Sequence, residues 1–440
     1  MKITLISPSN PYVCIKRGRR MPQLALPLIA ALTPPEFEVR IVDEDIEEVD
    51  FDEEVDLVGI SMMTSQARSG YRIADEFRKR GVKVVVGGIH PSLLPEEAGE
   101  HADAVVIGEA EDIWGEVLAD FKRGRLKKFY RAEKLIDLAK LPLPRRELLH
   151  TDSFFSPFPV QVSRGCPNRC SFCSVPLFFG GSYRFRPIRS VIEEIERSDK
   201  KNVIFLDDNI AGDLDYATKL FTELKPLKKH WGAQCSITIA RHPELLELAS
   251  RAGCLALFIG FESISKNNLA GVKKGFNHPE EYAEAIKKIH SYGINIMAAF
   301  IFGFDHDDPS IFERTVSFLI ENKVAIANFA ILTPFPGTEV YKQFKKEGRI
   351  LTYDWDLYTA NQVVFRPKLM SPEELLFGFE WADRAFFNLP SIAKRFPANW
   401  RHPLFYFVLN FTYLDIRKRR PRPDETLLRE VFNGAHKVIV

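Results

Sequence analysis

Cys166, Cys170 and Cys173 stand in a C-x3-C-x2-C spacing within a single short stretch, Val162 to Phe179. Three thiolates so close together suit a four-iron cluster in which one iron has no protein ligand. An iron left open can bind and activate a small molecule, whereas a fully ligated structural site cannot. Structural zinc is the alternative, but it wants four ligands, usually as two separated pairs. The nearest histidines, His150 and His230, offer no such pair. A disulfide would leave one of the three cysteines over. Cys235 and Cys254 lie in apolar runs that read as strands.

Other polar groups fall where apolar runs end. Asp207, Asp208 and Asn209 follow one such run; two carboxylates and an amide there can bind an ammonium group. The alternative is that Asp208 or Asn209 caps the next segment. Ser236 and Thr238 lie in a later run, with Arg241 just beyond it. Glu262 closes Ile259-Gly260-Phe261-Glu262-Ser263, and a buried glutamate needs a partner. A bound ligand or Arg241 could supply it. Near the N-terminus, Gly87-Gly88-Ile89-His90-Pro91 and Gly108-Glu109-Ala110-Glu111 each follow a short apolar run. Glycines directly after a strand let a bulky ligand approach the backbone. A packed, non-ligand role is the ordinary alternative for His90.

The elements that position these residues alternate between short apolar strands and helices. A chain of 440 residues suggests about two to four domains. Residues 1–145 read as strands at 3–7, 37–42, 56–61, 83–86 and 104–107 with helices between them. That alternation predicts a doubly wound parallel sheet, with ligands beyond the strand C-termini. A nucleotide-binding domain of this type is the plain alternative. Prolines at 142, 144, 157 and 159 mark a linker over about 140–160. Residues 146–345 then give six strand–helix repeats, with strands expected at 160–163, 203–207, 234–239, 255–260, 295–302 and 327–332. These predict a parallel, partly open barrel whose chemistry lies at the C-terminal strand ends. Residues 346–440 read as an accessory region: a strand-rich flap over 357–368, then a helix capped by Ser371 and started by Pro372. The fold class expected is therefore α/β, a Rossmann-like sheet followed by a partial (β/α)6 barrel and a small, mostly helical C-terminal region.

The cysteine loop, with Ser163-Arg164-Gly165 before it and Phe172 just ahead of the last cysteine, resembles that of the radical S-adenosylmethionine (SAM) superfamily. The resemblance implies a [4Fe-4S] cluster on Cys166, Cys170 and Cys173 whose open iron chelates the amino and carboxylate groups of SAM. One electron from the cluster then cleaves SAM to a 5′-deoxyadenosyl radical. It implies Phe172 near the adenine, and Asp207, Asp208 and Asn209 in the place of the family's residues for the SAM amino group. Ser236 and Arg241 would meet the ribose or carboxylate, and Glu262 matches a Gly-x-Glu-Ser segment. The two glycine loops resemble those of the cobalamin-binding domain found ahead of many such barrels. That likeness implies cobalamin near Ser61, Gly87, Gly88, Ile89, His90, Gly108 and Glu109. The Asp-x-His-x-x-Gly motif that supplies an axial histidine elsewhere is absent. The lower cobalt face is then empty, or met by water or by a side chain near Ser61 or His90.

The activity implied is methylation of an unactivated carbon, with methylcobalamin as methyl donor and a second SAM to regenerate it. A flavodoxin or ferredoxin would donate electrons. A cyclase or carbon–carbon coupling enzyme without methyl transfer, and a non-catalytic corrinoid or iron–sulfur protein, are the alternatives. Transfer-RNA methylthiolation would need a second three-cysteine set or a basic RNA-binding module, and neither is present. A net charge of +1 gives no field that favours nucleic acid. No stretch reaches the ~18 apolar residues of a spanning helix, and the cysteine usage fits a reducing, cytoplasmic setting. The run Trp400–Tyr413 beside Arg417-Lys418-Arg419-Arg420 suits peripheral membrane contact and a lipid substrate; a packed helix with a solvated basic end is the alternative.

Overall fold

The structure, a computed structural model, describes residues 1–12, 23–149, 157–396 and 401–419, with the side chains of 416–419 excepted. Of the residues noted above, Trp400, Arg420 and the side chains of Arg417, Lys418 and Arg419 thus lie outside what is described. Six parallel strands form the first sheet: β1 (Lys2–Ser7), β2 (Glu38–Asp43), β3 (Leu57–Ser61), β4 (Lys83–Gly87), β5 (Ala104–Ile107) and β6 (Phe129–Arg131), in the order β2-β1-β3-β4-β5-β6. The central strands are apolar throughout because helices cover both faces. The helix Ala67–Lys79 shows how. Its buried residues, Ala67, Gly70, Tyr71, Ile73, Ala74 and Phe77, recur at helical spacing.

The second sheet is also parallel, in the order β7-β10-β11-β12-β13-β14. Its strands are β7 (Phe158–Val160), β10 (Asn202–Phe205), β11 (His230–Cys235), β12 (Cys254–Glu262), β13 (Asn295–Phe302) and β14 (Ile326–Ile331). Chain order equals spatial order, as in a barrel wall. Between β7 and β10, β8 (Ser163–Gly165) and β9 (Tyr183–Phe185) form an antiparallel pair that carries the cysteine loop.

Two expected elements differ. The strand expected at 234–239 runs instead from His230 to Cys235, because Trp231, Ala233 and Cys235 alternate into the core. Ser236 then caps a 3-10 turn, Ile237–Arg241, accepting from the Thr238 amide. The flap expected at 357–368 has no strand, only one antiparallel bridge, Ile350 to Phe365. Its neighbourhood is a strap onto the first domain. Trp355, Leu357, Tyr358 and Val364 bury among that domain's apolar residues. Trp355 Nε1 donates to Glu97 Oε1 (2.8 Å), Arg68 pairs with Asp354 (2.8 Å), and Asn10 Nδ2 donates to the Asp356 carbonyl (3.0 Å). Apolar burial and ion pairs hold this segment where a ladder was expected.

The helix Pro372–Phe386 starts as its sequence reads, with a Ser371–Glu374 capping box. It lies so close to the barrel that a Cβ at Gly378 would meet the Phe312 ring. Arg395 fixes the next helix, Leu389–Arg395. It is fully buried and donates to the carbonyls of Val324, Ala325 and Phe386 and to Asn410 Oδ1. On the helix Pro403–Arg419, Leu404, Phe407, Val408 and Phe411 are exposed. Among the described residues no helix is long and apolar enough to cross a membrane.

Candidate active site between the two sheets

The cysteine loop is held by backbone and by one carboxylate. Asp207 Oδ1 accepts from the amides of Val162 (3.1 Å) and Ser163 and from Ser163 Oγ (2.6 Å). Burial pushes its pKa up to about 7, against hydrogen bonds that favour the charged form. Asp207 thus fastens the loop, chiefly through Oδ1. Ser171 N donates to Val272 O (3.1 Å), and Val340 N to Ser171 O (3.2 Å), so two later segments hold the loop's middle. Gly165 sits at φ 89°, where a Cβ would lie 1.9 Å from the Ser182 carbonyl oxygen. Gly165→Ala is expected to lower stability by at least about 2 kcal/mol and to reduce the iron retained after reconstitution. Thermal unfolding and iron content check this; wild-type iron retention would contradict it.

The three thiols share one electrostatic environment. Burial raises the pKa of each, that of Cys173 to about 12. Asp208 raises Cys166 and Cys173 further, while Lys274 lowers Cys166 and Cys170. Asp208 itself, three-quarters or more buried, is pushed up to about 6 by that burial. Phe172 packs near Phe304 at the end of β13, ring centroids 6.3 Å apart. Among the described residues no three His, Cys, Asp or Glu side chains gather as a single metal ion would need. A four-iron cluster takes its cysteines at separate corners, and the donor set here fits it: three thiols on one rigid loop with a carboxylate beside them.

The remaining strand-end residues divide. Asn209 Oδ1 accepts from Ser236 N (3.1 Å), and its carbonyl accepts from the Tyr183 hydroxyl. Asn209 and Ser236 therefore tie β10 to β11 and β9. Arg241 pairs with the exposed Glu281 (3.0 Å) and is itself about half exposed, so it does not partner Glu262. The partner of Glu262 is Lys274 (2.7 Å), missed because twelve residues and a helix separate them.

The glycine loops lie at the C-terminal ends of β4 and β5, beside the point where the strand order reverses between β1 and β3. Open α/β sheets bind ligands at such a point. Gly108 has φ 83°, and a Cβ there would meet nothing within 4 Å, so space is open above it. Gly88, at φ 97°, presses on Met62; a Cβ would lie 2.8 Å from the Met62 carbonyl oxygen. Ser92 Oγ links the loops, donating to Gly88 O (2.6 Å) and accepting from Gly108 N (2.9 Å). Ser61 and Ile89 are half-buried at the same rim. Ser7 Oγ, at the end of β1, is buried with no partner among the described residues. These features fit a broad ligand over the strand ends.

Two residues there have protein partners of their own. His90 is fully buried, its Nε2 facing Glu97 (3.2 Å) and its ring packed against Tyr71 and Trp355. It packs under the loop. Glu109 is spent on arginines. Arg164 Nη1 pairs with Glu109 (2.6 Å) and Arg164 Nη2 with Glu111, while Arg184 Nη2 reaches Glu109 (3.0 Å). The side chains of Arg164, Glu109 and Glu111 are 8%, 3% and 7% exposed. This buried clamp joins the loop after β5 to β8, two residues before Cys166. Only its Glu109 was singled out in the sequence, and for another role.

Residues 160–319 match the Radical SAM superfamily and residues 12–118 the B12 binding domain. Bacteriochlorophyllide d C-12(1)-methyltransferase of Chlorobaculum tepidum is 34% identical over 428 residues, 93% of each chain. Bacteriochlorophyllide d C-8(2)-methyltransferase of the same organism is 33% identical over 380 residues, 81% of this chain and 83% of that one. Among solved structures, the radical SAM methyltransferase TsrM of Kitasatospora setae, with tryptophan and a SAM analogue bound, shares the fold over 99% of both chains at a TM-score of 0.71 and 17% identity. With both domains matched in this order and relatives alike over nearly their whole length, the chain belongs to the cobalamin-dependent radical SAM methyltransferases, enzymes whose cofactors are a [4Fe-4S] cluster, SAM and cobalamin.

Proposed function

We propose that the enzyme methylates an unactivated carbon on a large, flat, mostly apolar ring system of the tetrapyrrole class. The observation that supports methyl transfer between the two cofactor sites is the buried Arg164 clamp, which holds the cysteine loop and the glycine crevice against each other. When bound, the cofactors supply a hydrogen-abstracting 5′-deoxyadenosyl radical and a methyl group on cobalt. Cys166, Cys170 and Cys173 hold the cluster and leave one iron open. Asp208, beside the thiols and without a cation of its own in its electrostatic surroundings, takes the SAM amino group. Phe172 bounds the adenine, with Phe304 behind it. Gly87, Gly88 and Gly108 let the corrin lie on backbone, and Ser61 borders it. A flavodoxin- or ferredoxin-class protein donates the electron.

The ring-system assignment rests on the bacteriochlorophyllide methyltransferases, whose likeness spans most of this chain. A polycyclic lipid is the second reading. It is favoured by the exposed Leu404, Phe407, Val408 and Phe411, a face able to meet a membrane that stores such a substrate. The test is anaerobic reconstitution with cobalamin, then turnover with a bacteriochlorophyllide and with a hopanoid. A product heavier by one methylene supports methyl transfer and names the class. A product that only loses hydrogens points to cyclisation. No 5′-deoxyadenosine from a cluster-loaded enzyme would overturn the reading.

A further inference from the structure

We propose that the buried Lys274–Glu262 pair sets the reduction potential of the cluster, Lys274 easing the arrival of the electron and Glu262 opposing it. The inference rests on the reading of the three cysteines as a cluster site.

Lys274 Nζ lies 2.7 Å from Glu262 Oε1, and the two side chains are 12% and 10% exposed. The ammonium is placed with some force. Glu262 adopts φ 64°, a region uncommon for a residue with a side chain, directly after a register shift in β12. Lys273, next to the lysine, is also left-handed at φ 55°. Gly260 leaves the room: a Cβ there would lie 2.4 Å from Glu262 Oε1 and 3.1 Å from Lys274 Nζ. Asn277 Nδ2 holds the strand end by donating to Gly260 O (3.0 Å). The Ser171–Val272 backbone bond then fixes this segment to the cysteine loop.

Strained backbone that persists is held by its surroundings and gathers at working sites. A buried ion pair is itself poor value for stability; apolar side chains of similar volume often do as well or better. The pair's place beside the thiols offers what apolar side chains cannot. Reduction adds one negative charge to the cluster, and in a site of low dielectric a fixed cation nearby stabilises that charge. Lys274 acts on both Cys166 and Cys170, and on Cys170 its pull exceeds the opposing push of Glu262. The two partners carry opposite charges, so removing one or the other should move the potential in opposite directions.

The test uses the full chain, reconstituted with iron and sulfide and left without SAM. It is titrated with dithionite while electron paramagnetic resonance follows the reduced cluster. At the potential that half-reduces the wild type, Lys274→Met should cut the reduced-to-oxidised ratio about tenfold, about 59 mV for one electron. Glu262→Gln should raise that ratio, and Lys274→Arg, which keeps the charge, should stay near the wild type. Loosening of the loop cannot produce shifts of opposite sign. Equal signs, or no shift in either variant, would overturn the proposal. Should Lys274→Met hold no cluster, Glu262→Gln decides alone: a rise supports the proposal and its absence overturns it. A wild type with far fewer than about four irons per chain would instead remove the cluster reading itself.

Discussion

Arg164→Met should cost about 3–5 kcal/mol of stability, because it leaves two buried carboxylates without their shared cation. Glu109 keeps Arg184, but among the described residues Glu111 pairs with no second arginine. The companion variant sharpens the test. Adding Glu111→Gln to Arg164→Met removes one orphaned charge, so the double variant should recover part of the loss. Denaturant unfolding of the apo chain measures both. The two variants should also retain less cobalt together with less iron, since the clamp spans the loops that hold each. An Arg164→Met protein within about 0.5 kcal/mol of the wild type would mean that solvent reaches the clamp and the domains lean on other contacts.

Cys173→Ala should behave in the opposite way, abolishing activity while sparing the fold. The backbone shapes the loop, through Cys173 N to Cys170 O (3.1 Å) and the Ser171 bonds. Losing one small side chain there should cost only about 1 kcal/mol. Losing one of three iron ligands removes the electron source, and 5′-deoxyadenosine formation should fall by a factor on the order of 10³ or more. Cys235→Ala is the control. That thiol is fully buried in a barrel strand, so its loss should lower stability slightly and leave iron content and turnover intact. Equal activity in Cys173→Ala and the wild type would move the chemistry away from this loop.

The cysteine loop stood out in the sequence because its spacing is local: three thiols in one short stretch need no knowledge of the fold. The two parallel sheets were legible for a related reason, since doubly covered strands read as apolar runs. Pairings across the chain were not. Glu262 looked as though it needed a partner, and it does, but nothing in the order of residues distinguished Lys274 from Arg241. Glu109 and His90 followed glycine strand ends and so resembled ligand groups. Only the tertiary structure reveals Arg164 and Arg184 around the one, and Glu97, Tyr71 and Trp355 around the other. The strand at 230–235 was displaced by several residues because its start, His230-Trp231-Gly232, is set by pairing with β10 and β12. The segment 357–368 has the β-prone composition of a strand, yet Tyr358 and Val364 bury into another domain's core and no neighbouring strand is offered to them.

The strap formed by Asp354, Trp355 and Asp356 bears on how such a protein can change over evolutionary time. It arrives from the far end of the barrel and grips the first domain at Arg68, Glu97 and Asn10. Together with the Arg164 clamp it closes the polypeptide into a loop of mutual dependence: each of the first two domains carries contacts completed only by the other or by the tail. The corrin-binding unit is therefore not a cassette to be exchanged between barrels. A foreign unit would have to bring an acidic pair for Arg164, an acceptor for Trp355 and a cation for Asp354, all at once. Change is left to the surfaces that none of these contacts touch, the exposed apolar side of the last helix among them.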